Sequence, residues 1–256
     1  LSAAANPKSL EGCGPAVEGF DNVPFGNMNE LRNAIRDETA AIVVEPIQGE
    51  GGIRAADLDY LKALRNVCDE YGLLLVLDEI QCGMGRTGKL FAYEWAGIEP
   101  DVMALAKGLG GGFPVGAILA TEKAASGMVP GIHGTTFGGN PLAMAVGNAV
   151  LDVMLQPDFL PQVQRTGELL RRRLEELAAR FPQVLENVRG AGLMIGLKCV
   201  VPNTDLVAKL REEGLLTVGA AENVVRLLPP LIIDERQVDE AVTAIERACG
   251  AWAKAA

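Results

Sequence analysis

Three apolar runs of strand length each end in polar or charged residues. Residues 40–45 (Ala-Ala-Ile-Val-Val-Glu) lead through Pro46 into Gln48-Gly-Glu-Gly-Gly. Residues 73–77 run into Asp78-Glu-Ile-Gln, and residues 101–106 into Lys107-Gly-Leu-Gly-Gly-Gly. Between the first two, Leu58, Leu61, Leu64, Val67 and Cys68 keep helical spacing over residues 57–71, with Gly72 as the stop. Residues 30–38 read as a short helix and 115–120 as a further strand. Strands alternating with helices predict a parallel sheet with helices on its faces. In such sheets ligands bind beyond the carboxyl ends of the strands, so three polar strand ends predict one site.

The rest of the chain reads differently. Residues 1–28 are loop-like, broken by Pro7, Gly12, Gly14, Pro15, Gly19, Pro24 and Gly26. Helices are predicted over 141–155 and 159–180, the second strongly amphipathic with Arg171, Arg172 and Arg173 mostly on its wet side. Strand-like 192–200, helical 205–213, strand-like 224–228 and helical 235–252 complete an α+β tail. A boundary is expected near residues 155–157, dividing the chain into 1–155 and 156–256.

Composition excludes several functions. With 23 basic and 33 acidic residues the formal charge is −10, which argues against a nucleic-acid or anionic-membrane partner. No apolar run approaches the ~20 residues that cross a bilayer. The five cysteines form no CxxC pair, which argues against a disulfide framework or zinc site and favours a reducing cytoplasm. The opening Leu-Ser-Ala-Ala-Ala-Asn-Pro-Lys does not have the pattern of a signal peptide. His133 is the single histidine, so no multi-histidine metal site is expected, nor a Ser–His–Asp triad that omits it. It reads as a hydrogen-bonded structural residue.

Lys107 is the sharpest feature. A lysine at the end of a buried strand is costly unless paired or chemically engaged, and a partly desolvated amine suits Schiff-base formation. Its ordinary alternative is a side chain that snorkels to water. Asp78, ending the neighbouring strand, needs a cationic partner. A protonated pyridine nitrogen would serve, and so would a loop cap or a pair with Arg86. Lys107 and Asp78 together favour the pyridine.

Four motifs follow in order: Val44-Glu-Pro-Ile-Gln-Gly-Glu-Gly-Gly, Leu77-Asp-Glu-Ile-Gln-Cys-Gly-Met-Gly-Arg-Thr-Gly, Leu105-Ala-Lys-Gly-Leu-Gly-Gly-Gly-Phe-Pro and His133-Gly-Thr-Thr-Phe-Gly-Gly-Asn-Pro. On these the chain resembles the class III pyridoxal-phosphate aminotransferases. The resemblance implies an aspartate-aminotransferase-like α/β fold: a mostly parallel large-domain sheet with helices on both faces, and a small α+β C-terminal domain. It implies that Lys107 holds pyridoxal 5'-phosphate and moves the substrate proton. Asp78 would pair with the pyridinium nitrogen and Gln81 would contact the phenolic oxygen. Thr136 would reach the phosphate of a neighbouring subunit's cofactor, making the protein a homodimer. Thr135, where the family usually has serine, would lie near the substrate.

The resemblance also implies that Arg226 binds the carboxylate of 2-oxoglutarate or glutamate, and that Glu50 neutralises it while the amino donor reacts. A permanent buried ion pair is the alternative. The implied donor is N2-acetyl-L-ornithine, as in arginine biosynthesis, with succinylornithine, ornithine or 4-aminobutyrate as alternatives. Glu45, Glu79 and Arg86 read as supporting residues, and Met84 and Phe113 as packing. The family's phosphate-binding turn, stacking aromatic and a further substrate arginine would lie before Leu1. The chain is accordingly expected to be the later part of a longer polypeptide. A non-catalytic dimerisation or binding module is the reading of another class.

Overall fold

Helix α1 (Met28–Ala34) begins where the Asn27 side chain accepts the amides of Asn29 and Glu30. That cap moves the helix upstream of the expected 30–38, and Ile35 leaves it in extended geometry. Strand β1 (Ala41–Val44) leads to a two-residue hairpin, β2 (Ile47–Gln48) and β3 (Arg54–Ala55). Helix α2 (Leu58–Tyr71) is capped by Asp57, stops at left-handed Gly72, and buries Leu61, Leu64, Val67 and Cys68. Strands β4 (Leu74–Asp78), β5 (Val102–Leu105) and β6 (Ala117–Ala120) complete the first sheet, in the order β1-β4-β5-β6. The first three strands are parallel, and β6 is antiparallel to β5. This computed structural model describes residues 2–4 and 10–253; Pro7 of the expected N-terminal loop and residues 254–256 of the expected second half lie outside them.

Register places side chains on two faces. Ile42, Leu75 and Leu77 are buried with the α2 residues, and Met103 and Leu105 of β5 with Met84 and Met154. The opposite face carries Val43, Val76, Asp78, Val102 and Ala104, register partners along the sheet. Val43 on β1 and Ile118 on β6 are 61% and 70% exposed there.

Short α3 (Glu122–Ala125) precedes α4 (Pro141–Met154), which Asn140 caps and which packs on the turn after β5. Helix α5 (Phe159–Arg180) is 22 residues long and turns Val163, Leu170, Leu174 and Leu177 inward. It lies on a second, antiparallel sheet of β7 (Leu185–Ala191), β8 (Met194–Cys199), β10 (Val224–Leu227) and β9 (Val218–Ala220). Helices α6 (Asn203–Glu212) and α7 (Glu235–Ala253) close the same core with Leu206, Leu210, Val238, Ile245 and Cys249. Of the three consecutive arginines Arg172 is exposed, and Arg171 and Arg173 are half-buried. Arg171 donates to the Gly190 carbonyl, and Arg173 bridges to Asp239 and Glu235 on α7. None of the three is buried, so they lie on the wet side as expected, and two of them also tie elements together. A third cluster, with Ile47, Ile53, Cys82, Met194 and Val224, joins the hairpin, the turn after β4 and the second sheet. Among the described residues no helix is long and apolar enough to cross a membrane.

Candidate active site

The hairpin β2–β3 exists to present its loop. Gly49 donates to the Glu45 carboxylate at 3.2 Å, and the carbonyl of Glu50 accepts the Ala221 amide at 3.0 Å. The loop is thus pinned to β1 on one side and to the β9–β10 turn on the other. Arg226 on β10 faces it with a side chain only 8% exposed. Its Nη1 donates to Glu50 Oε1 at 2.5 Å and to Gln81 Oε1 at 2.9 Å. The Arg226 Nε is buried and has no partner among the described residues. An orphaned guanidinium donor beside an existing carboxylate is where a second planar anion would bind. Glu50 is 75% exposed, and the Arg226 hydrogen bond holds its carboxyl below the usual value. The two partners are therefore unequal: the arginine is fixed in the core and the glutamate can move into water.

Lys107 stands two residues beyond the last residue of β5, at φ 48°, where it opens a 3-10 turn over Lys107–Gly110. It is exposed, not desolvated as expected from the apolar run before it, because that turn carries it past the end of the sheet. With Gln81, Met84, Arg86 and the glycines at 110–112 it lines a cavity of about 680 Å³. Asp78 is half-buried and accepts the Ile80 amide at 2.9 Å; among the described residues no cation pairs with it. Glu45 is near enough to feel both. Burial pushes its carboxyl up against the Gly49 hydrogen bond, Asp78 adds to the rise, and Lys107 opposes it.

The remaining expectations divide. Glu79 is fully buried and accepts the amides of Ala92 and Tyr93 at 2.7 and 2.8 Å, a supporting role as expected. Burial pushes its carboxyl up to about 7. Arg86 donates to the carbonyls of Leu193 and Pro229, not to Asp78, and burial lowers it to about 10. Met84 is buried in the core cluster with Met103 and Met154. Thr135 and Thr136 sit on an exposed loop outside the cavity, where Thr135 Oγ1 accepts the Gly138 amide. His133 on that loop is exposed, and among the described residues its side chain makes no hydrogen bond, unlike the hydrogen-bonded structural residue expected. Gly49 was missed in the sequence, where it stands out only as a neighbour of Glu50. A Cβ there would lie 2.0 Å from Gln81 Oε1.

The family profile described as aminotransferase class-III matches residues 16–249. The chain belongs to the class-III aminotransferases. It is 60% identical over 248 residues to the acetylornithine aminotransferase of Brucella melitensis, covering 97% of this chain and 62% of that protein. It is 45% identical to the acetylornithine aminotransferase of Methanocaldococcus jannaschii, covering 96% of this chain and 62% of that one. Among solved structures, the ornithine aminotransferase of Toxoplasma gondii matches with a TM-score of 0.94 at 32% identity, covering 100% of this chain and 62% of that one. The N-acetylornithine aminotransferase of Stenotrophomonas maltophilia matches at 0.84 and 38% identity, covering 93% and 64%. The chain thus spans about three fifths of the length of the proteins it matches. The class-III fold accounts for the mixed, mostly parallel sheet and its helices.

Proposed function

We propose that the protein is a pyridoxal-phosphate-dependent aminotransferase that moves the δ-amino group of N2-acetyl-L-ornithine to 2-oxoglutarate. The single observation that carries this reading is Arg226: a buried guanidinium, shared with an exposed Glu50 and still holding a free donor, beside the cavity that Lys107 lines. Such a pair can expose a positive site for a dicarboxylate and cover it for a donor that carries its charge elsewhere. The names of the 60% and 45% identical relatives supply the donor.

The residues fit the cofactor. Asp78, which is not on the cavity wall, offers a carboxylate without a cationic partner among the described residues. Lys107 and Gln81 line a cavity large enough for a substituted pyridine, and the charges of Asp78 and Lys107 both reach Glu45. When bound, that group supplies an electron sink for the carbon–hydrogen bond that breaks. Asp78 holds the proton on the pyridine nitrogen. The Lys107 amine removes the proton from the carbon bearing the amino group and later returns it. Gln81 would orient the phenolic oxygen, and Thr135, which lies on an exposed loop outside this chain's own cavity, would come near the substrate. Thr136 would reach the partner subunit's phosphate, which makes the active protein a homodimer; its scattered cysteines, without a CxxC pair, favour the cytoplasm. The chain divides at residues 155–156 into a cofactor-binding part and a C-terminal domain built on α5 and the antiparallel sheet.

Glutamate formation from 2-oxoglutarate with a panel of donors tests the reading. N2-acetyl-L-ornithine should give a higher kcat/KM than ornithine, succinylornithine or 4-aminobutyrate. A different preferred donor overturns the substrate assignment, and no turnover of any donor overturns the activity.

A further inference from the structure

The ion pair at the site has a third member. Arg226 Nη1 is shared between Glu50 and the amide oxygen of Gln81, so Gln81 holds the same guanidinium nitrogen that the moving carboxylate holds. The Gln81 hydrogen bond also contributes to holding the Glu50 carboxyl low, so the amide serves both halves of the pair. Its place is set by an unusual wall. An added Cβ on Gly49 would meet Gln81 Oε1 at 2.0 Å, Cδ at 2.3 Å and Nε2 at 2.8 Å, so the amide occupies the space of a missing side chain. Gly49 cannot retreat, because Glu45 pins its amide and Ala221 pins the next carbonyl. Gln81 at the same time lines the cavity with Lys107.

We propose that Gln81, seated on Gly49, is a positioning residue for Arg226 and carries the state of the Glu50–Arg226 pair to the cofactor. The inference rests on the proposed function. With Glu50 in place, Arg226 holds the Gln81 oxygen and fixes which way the amide faces. A dicarboxylate that displaces Glu50 draws the guanidinium toward itself, and the hydrogen bond to Gln81 lengthens or turns. The amide then presents differently to the phenolic oxygen. Choice of substrate at the arginine thereby changes the acid–base balance at Lys107, where the proton moves.

The probe is glutarate, a five-carbon dicarboxylate with no keto group to react. In protein loaded with pyridoxal phosphate, the pH midpoint of the near-visible absorption band is measured with and without saturating glutarate, and glutarate affinity is measured by calorimetry. Wild type should show a glutarate-dependent shift of about 0.5–1 pH unit, the size of one hydrogen bond made or lost. Gln81→Met keeps every charge and should still bind glutarate within roughly tenfold, about 1.4 kcal/mol, yet lose more than half of the shift. Gly49→Ala keeps Gln81 itself and should lose it likewise, because the new methyl displaces the amide. A full shift in either variant would mean that charge acts directly, and overturns the proposal. So would an unshifted wild type that binds glutarate. Protein that shows no near-visible band at all instead overturns the cofactor assignment beneath it.

Discussion

Replacing Glu79 by Gln tests whether the carboxyl beneath the site is protonated. Glu79 has no exposed surface and accepts two backbone amides, from Ala92 and Tyr93. Burial raises its pKa to about 7, with the two amides opposing. A carboxyl that titrates higher in the folded chain than in the unfolded one, near 4.3, holds its proton more tightly when folded. Its contribution to stability is complete below about pH 4 and is lost as the pH rises through about 7. At 1.36 kcal/mol per unit, the full loss is roughly 3.5 kcal/mol over that window. The glutamine side chain of the variant cannot titrate. Its single oxygen satisfies one amide and leaves the other facing an NH2 group, at a cost of about 1–3 kcal/mol that does not depend on pH. The difference in unfolding free energy, wild type minus Glu79→Gln, should therefore fall by about 2–3 kcal/mol between pH 5 and pH 8. Urea unfolding followed by tryptophan fluorescence reads it, since Trp95 donates to Thr87 Oγ1 nearby. A difference that stays constant with pH would show that the two amides outweigh burial and the carboxylate is charged throughout.

Three further variants, at two positions, test the second sheet and its helices. Leu174 of α5 is fully buried in the core of that sheet, and Leu174→Ala should cost about 2–5 kcal/mol in urea unfolding. A cost under about 1 kcal/mol would mean that α5 is not packed as described. Asn223 stands at φ 58° and makes three hydrogen bonds, donating to Cys199 and Val201 and accepting the Asn203 amide. Asn223→Ala should destabilise by about 2–4 kcal/mol, and Asn223→Gly by less, because glycine accepts the left-handed geometry. Equal losses would show that the geometry carries none of the cost.

Helices were legible in the sequence where apolar spacing and caps agree. Residues 159–180 are helical from end to end as expected, and α2 runs between Asp57 and Gly72 because both ends carry a residue that stops a helix. Strands without a pattern of their own were not. The segment Leu-Glu-Asn-Val-Arg-Gly-Ala of β7 has no clean alternation and becomes a strand by pairing with β8. The three residues of β9 and the two-pair hairpin are also products of pairing. The last strand of the first sheet was foreseen, but not that it runs antiparallel, since direction depends on how the chain returns. At the site, the pairing of Glu50 with Arg226 came from the family resemblance, and the structure brings the two together. The contact of Gln81 with Gly49 was not legible, because it exists only where two loops meet. The apolar run before Lys107 suggested burial, yet one turn past the strand the chain is already in the open.

Central to the proposed chemistry is Lys107 as the residue that holds the cofactor. Protein incubated with pyridoxal phosphate, reduced with borohydride, digested and analysed by mass spectrometry should carry the pyridoxyl group on the peptide containing Lys107. Lys107→Ala should carry none and lack the near-visible band. A pyridoxyl group on another lysine, or a band unchanged in Lys107→Ala, would contradict the assignment.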